Sequence, residues 1–482
     1  MSTLPPEILD LILSHLDRDS LLDASVASRL LRAISLPFLF SRFVFRPYTV
    51  GQWPNNEYVL PVPHKVQLGL ERLRFWSSER IASLVRTCDV RPYPGLEQVN
   101  GSANLPLNWG DQSAAPDVRM SSTVLLDALF ETLPVFRGLT RLQLSTVQID
   151  DTMLATISRL PSLEALKTDS RVSLATIGGS EDQLIALFEL EINPGLAVEN
   201  WLRLFKRDTL HKLTATILDG PLPTIPRFSN LQYLSLRLYS YMAHTQLPPL
   251  LANFPTIETL ALEEFNSLIH WAPGAVAVDP SIVPRLGTLR ISTYMLPLVF
   301  PRLSVRRLDI PVCAWALFVE FLGSSVTPDT NAVTSLSIAG SGLADASPIA
   351  AVCKAFPHLV HLSISEDAPA EAAEILRGLS EIVSTAFPPS LQSLVLRWDE
   401  PPIHPLQTID RALMQPLLTV LRHRCPALTS VWIECEDGFL YRWRKRKTRT
   451  ALDIIVEDLI TDPELVAEFG QRHHPEHTRD AD

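Results

Sequence analysis

The stretch LTRLQLSTVQIDDTMLATISRLPSLEAL, residues 139–166, carries the pattern on which the reading of this chain turns. Leu139, Leu142 and Leu144 stand in the spacing apolar-x-x-apolar-x-apolar, and the alternation of the last two is that of a strand with one buried face. An I-x-D and then L-x-x-I follow, and they lead to a weaker copy of the spacing at PSLEALK, from Pro161. A unit this short cannot bury its own apolar edge, so a core forms only when copies stack.

Copies recur along the chain: LQYLSL at Leu231, IETLAL at Ile257, LGTLRI at Leu286, VTSLSI at Val333, LVHLSI at Leu359, LQSLVL at Leu391 and LTSVWI at Leu428. RLSVRRLDI at Arg302 is a weaker one, and the lead-ins NFP, AFP, AFPP and RCP recur at Asn253, Ala355, Ala386 and Arg424. Between copies lie segments with helical spacing: STVLLDALFETL, ENWLRLF, CAWALFVEFL, AEAAEILRGLSEIV and QTIDRALMQPLLTVLRHR. A strand and then a helix, repeated every ~20–40 residues, is the signature of a leucine-rich-repeat solenoid. The fold class expected is therefore α/β, with parallel strands alternating with helices. The copy at residues 139–166 resembles the repeat subtype found in F-box proteins. Tyr239, Phe265, Tyr294, Asp367 and Asp399 stand where standard repeats place an asparagine, so an irregular solenoid of about ten repeats is expected.

At 482 residues the chain exceeds one compact core, which suits a repeat array or several domains. Its net charge of −11 does not favour nucleic acid as a partner. Five scattered cysteines (Cys88, Cys313, Cys353, Cys425 and Cys435) form no metal-binding spacing and read as reduced thiols of a protein in the cytoplasm or nucleus. Pro5, Pro6, Glu7 and Asp10 do not suit a secretory signal, and no apolar run is long enough for a membrane span. Lysine is scarce, seven residues against 35 arginines, which codon bias accounts for most simply.

The N-terminus poses a different problem. In LPPEILDLILSHL, from Leu4 to Leu16, the apolar residues Ile8, Leu9, Leu11, Ile12, Leu13 and Leu16 spread over roughly 200° of a helical wheel, whereas a stripe of about 100° suffices for one core. Asp19 or Ser20 can cap a second helix with Leu21, Leu22 and Val26, and a third carries Leu30, Leu31 and Ile34 before Pro37 stops it. Three short helices cannot bury this much apolar surface alone. The order L-P-P-E-I-L, S-L-L, A-S-R and a closing L-P-F-L-F resembles the F-box, in the form common in large fungal families. In place of the usual V-S-R-x-W stand Ala27, Ser28, Arg29, Leu30 and Leu31, with leucine for the aromatic. The resemblance implies docking on the Skp-family adaptor of cullin–RING ubiquitin ligases. The docking residues it implies are Leu4, Pro5, Ile8, Leu9 and Ile12, with Leu16, Leu21 and Leu22.

The expected organisation is a three-helix F-box over residues 1–45, an irregular connector over 46–80, the solenoid over 81–435 and a terminal segment over 436–482. Glu79 to Val90 reads as a helix running into a strand, and residues 91–117 as a long loop, either a recognition element or an insertion. YRWRKRKTR, Tyr441 to Arg449, reads as a nuclear import signal or a patch for an acidic partner, or as a solvated stretch before a helix, LDIIVEDLITDPELVAEF, that caps the solenoid. His473, His474 and His477 lie in a charged tail expected to be disordered and free of metal.

Side chains between the apolar positions of each strand point away from the core. Most are small and hydroxylic; those with binding potential are Tyr233, Arg237, Arg290, Arg307, His361, Arg397 and Trp432, a row that suggests a groove with a positive centre for an acidic or phosphorylated target segment. No GxSxG elbow, Walker loop, HExxH or dinucleotide-binding GxGxxG is present, so neither catalytic residues nor a cofactor or metal is expected. The function expected is that of a non-catalytic substrate receptor of a Skp–cullin–F-box ligase, reaching the cullin through the adaptor and holding a target protein on its repeats. The alternative is a repeat scaffold without a role in ubiquitin transfer.

Overall fold

The computed structural model describes residues 4–50, 58–59, 63–93, 123–169, 172–174, 184–193, 198–217, 225–238, 243–264, 278–299, 305–323, 332–343, 345–367, 372–398, 411–435, 439–447 and 453–460. The chain divides into two compact units, Met1–Leu218 with Pro223–Asn230, and Asp219–Leu222 with Leu231–Asp482.

The first unit opens with α1 (Pro6–Ser14), α2 (Arg18–Ala27) and α3 (Arg29–Phe40). Proline stands in the first turn of α1, where its missing N–H would have had no helical partner. The cap of α2 is Asp17, upstream of the expected Asp19 or Ser20; its carboxylate accepts from Ser20 N at 2.8 Å. Ser28 caps α3 by accepting from Leu31 N at 3.1 Å. Pro37 was expected to end this helix, yet α3 runs on to Phe40. The loss of one N–H is outweighed by Leu39, which the added turn carries into a core with Leu13 and Leu21, with Phe38 packed against it.

The sheet of the first unit is all parallel. Its strands, neighbours in this order, are β1 (Arg42–Phe45), β2 (Thr87–Val90), β3 (Arg141–Leu144), β4 (Ala165–Thr168), β5 (Glu189–Ile192) and β6 (Lys212–Ile217). The elements depart from the expected organisation at two points. The sheet begins at Arg42, inside the segment assigned to the helical module, and only Ser41 separates α3 from β1. The expected irregular connector includes a regular helix, α4 (Pro63–Trp76), and the strand pair Thr49–Val50 with Tyr58–Val59. The reason is aromatic packing: Phe40 lies 5.9 Å from Phe75 and 5.4 Å from Trp76, and Phe43 lies 4.8 Å from Trp76. The helical module is thereby joined to the sheet through a shared core. The loop expected at residues 91–117 lies outside the described residues beyond Tyr93.

In the second unit, parallel strands β7 (Tyr233–Leu238), β8 (Thr259–Glu264), β9 (Thr288–Ile291), β10 (Arg307–Ala314), β11 (Ser335–Ser341), β12 (His361–Glu366), β13 (Ser393–Trp398) and β14 (Ser430–Cys435) follow one another in sequence order. The apolar pair of each copy falls in register with the next, as in Leu260, Leu289, Leu308, Leu336, Leu362 and Leu394, every one almost fully buried. The Phe-Pro lead-ins have a structural use, because Phe254, Phe356 and Phe387 are completely buried where the chain turns into the next strand. Each unit is mixed α/β in a solenoid-like arrangement.

Three of the parallel strands escaped the sequence reading: β1, β5 and β6. Their spacing is the same, Phe40-x-x-Phe43-x-Phe45, Leu187-x-x-Leu190-x-Ile192 and Leu210-x-x-Leu213-x-Ala215; phenylalanine stands for leucine in β1 and alanine ends the pattern in β6, whereas β5 carries the residues sought.

The C-terminal segment is a second correction. The basic stretch lies on β15 (Phe439–Lys447), antiparallel to β14, and the first part of the expected capping helix is β16 (Asp453–Ile460), antiparallel to β15. Ile454, Ile455 and Val456 are β-branched and extend readily. Alternation in β15 buries Tyr441 and Trp443 and sends Arg442 to the other face, where its Nε donates to Asp458 Oδ2 at 2.9 Å. The strand of this stretch is paired on both sides within the sheet. The remainder of the expected helix and the three tail histidines lie outside the described residues.

One buried polar group ties strand to helix. Glu366, at the end of β12, accepts from Trp315 Nε1 at 2.9 Å and from Leu343 N at 2.8 Å. A Cβ on Gly340 would lie 2.8 Å from that indole nitrogen, so glycine makes room for the contact. Replacing Glu366 by alanine leaves two buried donors without an acceptor, and the expected loss is about 2–4 kcal/mol, read as a lower thermal unfolding midpoint. Burial raises the carboxyl pKa above 4.5 despite these hydrogen bonds. With the folded pKa above the unfolded one, the stability that this group contributes is full below the unfolded pKa and declines as pH rises through the folded one.

Candidate functional site: the exposed face of the helical module and the open face of the sheet

On α1 the apolar surface divides. Leu13 is buried in the module core and Leu9 is half-buried. Ile8, Leu11, Ile12 and Leu16 form a contiguous exposed arc, with Leu4 53% and Ile12 46% exposed. Pro5 is exposed beside Leu4, and Leu22 on α2 is 47% exposed. Exposed apolar side chains grouped in this way mark interaction surfaces. Of the docking residues implied by the sequence, Leu21 is corrected: it is 7% exposed and belongs to the core with Leu13 and Leu39. Adjacent positions on a helix point about 100° apart, so the pair Leu21 and Leu22 cannot share one face. Leu21→Ala is expected to cost about 2–4 kcal/mol of module stability by cavity formation. Leu22→Ala is expected to stay within about 0.5 kcal/mol, so unfolding of the two variants separates core from surface. Leu31, standing for the family's aromatic, packs half-buried against the same core.

The open face of the second unit carries the target-binding candidates. Parallel registry sets them in rows across the strands. Tyr233, Arg307 and His361 share one row, Arg290 and Trp432 the next, and Arg237 and Arg397 lie further along their strands. At about 4.8 Å between strands, Tyr233 and Trp432 stand roughly 34 Å apart, so the seven residues do not converge on one point.

Two expectations fail here. Trp432 is only 2% exposed; it packs with Val395 and Leu440 and donates to Glu434 Oε2 at 3.0 Å. The sequence reading missed this because Leu440 reaches the same face only through β15. The positive centre is also largely compensated. Arg237 Nε lies 3.0 Å from Glu263, and Arg290 Nε lies 3.9 Å from Glu263 and 3.7 Å from Asp309. Acids on neighbouring strands, invisible to a reading of one strand at a time, alternate with the arginines. The open face of the first unit shows the same alternation, with Lys212–Glu189 at 2.7 Å and Lys167–Glu191 at 2.8 Å. Such exposed pairs contribute about 0–1 kcal/mol each.

Cys88, Cys313, Cys353 and Cys425 are free and buried. Burial pushes the thiols of Cys88 and Cys313 up to about 12, that of Cys425 up to about 11, and that of Cys353 upward as well. None is a thiolate at neutral pH. Among the described residues no cluster of histidine, cysteine and acidic side chains is arranged to hold a metal ion, and no helix is long and apolar enough to cross a membrane.

Residues 1–46 match the family model described as F-box-like. The chain carries an F-box-like domain. The match covers the three helices and β1, the segment that displays the divided α1 surface, and it supports an F-box protein. F-box domains generally bind Skp-family adaptors, and F-box proteins are generally non-catalytic adaptors of ubiquitin ligases. No curated protein matches the chain.

Proposed function

We propose that this protein is a substrate receptor of a Skp–cullin–F-box ubiquitin ligase, working in the cytoplasm or nucleus. The exposed arc of Ile8, Leu11 and Ile12 on α1, continued by Leu16 just past its end, lies inside the F-box-like domain and carries this reading. One face of the helix completes the domain's own core, and the other is left for a Skp-family adaptor, through which the cullin is reached. The strand-and-helix body is read as leucine-rich repeats, with Tyr233, Arg237, Arg290, Arg307, His361 and Arg397 on the face offered to a target protein. No catalytic group is assigned to the chain. Its contribution is proximity: a target held on the repeats meets a ubiquitin-loaded enzyme at raised effective concentration. The direct passage from α3 into β1 and the shared aromatic core support a fixed relation between the domain and the first strands.

The test is co-purification of the full chain with a Skp-family adaptor and measurement of the affinity. A complex at sub-micromolar concentration supports the receptor reading. A soluble chain that forms no complex at micromolar concentrations sinks it and leaves the scaffold function. Targets are then sought by affinity capture with the F-box-like domain disabled, so that they accumulate.

A further inference from the structure

Where the helical module meets the sheet of the first unit, arginines outnumber acids. Arg42 Nη2 lies 3.0 Å from Asp89 Oδ2, and Arg91 pairs with the same oxygen of this fully buried carboxylate. Arg18 of α2 and Arg42 line one cavity of about 280 Å³, walled by apolar side chains of α2, α3 and β1. Arg72 of α4 lies over the Phe43 ring, 5.9 Å from its centroid. Arg46, the residue after β1, has a buried Nε with no hydrogen-bond partner. Buried donors left without an acceptor are rare in native proteins.

Arg46 and Arg18 act on Arg72, and Arg42 and Arg46 act on Arg91. That of Arg72 is held below its ordinary pKa by burial and, against a favourable contribution from Tyr93, by repulsion from Arg46 and Arg18. That of Arg91 is lowered by burial and then by Arg42 and Arg46. Asp89 is the one carboxylate within ion-pair distance of any of them among the described residues, in a protein whose net charge is −11. Like charges gathered against the overall sign of a protein favour a counter-anion at that place.

We propose that the cluster of Arg18, Arg42, Arg46, Arg72 and Arg91 is a binding site for a phosphate group, as inorganic phosphate or a phosphomonoester. A phosphate carries close to two negative charges and three acceptor oxygens, enough to engage several guanidiniums at once; Asp89 offers a single charge, with both pairs on its Oδ2 and its buried Oδ1 without a hydrogen-bond partner among the described residues. The arginines come from α2, β1 and α4 and from the residues that follow β1 and β2, so a bound phosphate joins the helical module to the first strands. A ligand held only by the folded junction stabilises that junction. None of this depends on the adaptor or on a target.

The full chain is studied in chloride buffer at fixed ionic strength, with inorganic phosphate as the probe, by thermal unfolding and titration calorimetry. The expected result is a saturable rise in melting temperature and a saturable heat, neither reproduced by equivalent chloride. Arg46→Gln with Arg72→Gln should melt in chloride no lower than the parent, because repulsion is relieved, and should bind phosphate at least ~10-fold more weakly. Absence of saturable heat in a parent chain shown to be free of phosphorus overturns the proposal whatever the variant does, and so does an undiminished phosphate response in a folded double variant. Phosphorus analysis of protein purified without phosphate separates the sources. About one phosphorus per chain points to a small resident phosphate, and binding to a phosphorus-free chain points to a phosphorylated side chain of a partner.

Discussion

Leu4→Asp combined with Ile12→Asp is expected to abolish capture of a Skp-family adaptor, weakening binding at least ~100-fold, about 2.7 kcal/mol. Both side chains are about half exposed and make no part of the core of Leu13, Leu21 and Leu39. A carboxylate forced into an apolar interface must lose its water without gaining a partner, which is why two of them suffice. Surface changes of this kind leave folding nearly untouched, so the variant should unfold within ~0.5 kcal/mol of the parent. Binding is read by calorimetry or co-purification and folding by thermal unfolding of the same samples. Capture that survives the double change removes α1 as the docking surface. Loss of capture together with collapse of the fold would mean that the arc packs against this chain itself.

Trp432→Ala is expected to cost about 3–5 kcal/mol, the usual loss for a buried tryptophan, and to lower the melting temperature on the order of 10 °C. The indole fills the contact with Val395 and Leu440 and donates to Glu434, so its removal leaves a cavity and a carboxylate short of a donor. The sequence suggested a target-binding anchor, and that role predicts the reverse: an unchanged melting temperature with weakened target capture. Thermal unfolding alone separates the two. Arg307→Ala is the useful companion, because Arg307 is exposed and has no acid within ion-pair distance among the described residues. It should leave stability within ~0.5 kcal/mol.

The repeat was legible because its evidence is local. A strand with one buried face needs apolar residues at alternate positions, and Leu234 and Leu236, Leu260 and Leu262, or Leu362 and Ile364 show them within three residues. Of the strands that escaped notice, β1 uses phenylalanine at those positions (Phe43 and Phe45) and β6 uses alanine at Ala215, whereas β5 keeps Leu190 and Ile192. The C-terminal misreading is of a different kind. LDIIVEDLI has spacing that suits a short helix as well as a strand, and the decision rests with β15, whose edge it pairs.

The candidate site was legible in the same uneven way. Too much leucine on α1 was visible from the wheel alone, and so was the order of motifs around it. Which of Leu21 and Leu22 faced the core was not, since both fit an apolar helix until α3 supplies Leu39. The arginines of the open face were visible as residues, whereas their neutralisation by Glu263 and Asp309 depends on strands that lie far apart in sequence and side by side in the sheet.

By itself, then, the sequence determined the alternation of strand and helix, the apolar excess on α1 and the absence of familiar catalytic motifs, because each is a matter of residue type at short range. The tertiary structure alone decided the burial of Trp432, the pairing of Arg237 and Arg290, the strand character of residues 453–460 and the placing of Arg42 and Arg91 on the buried Asp89. Those depend on charge and packing between residues that only parallel registry and the junction of α3 with β1 bring within a few ångströms.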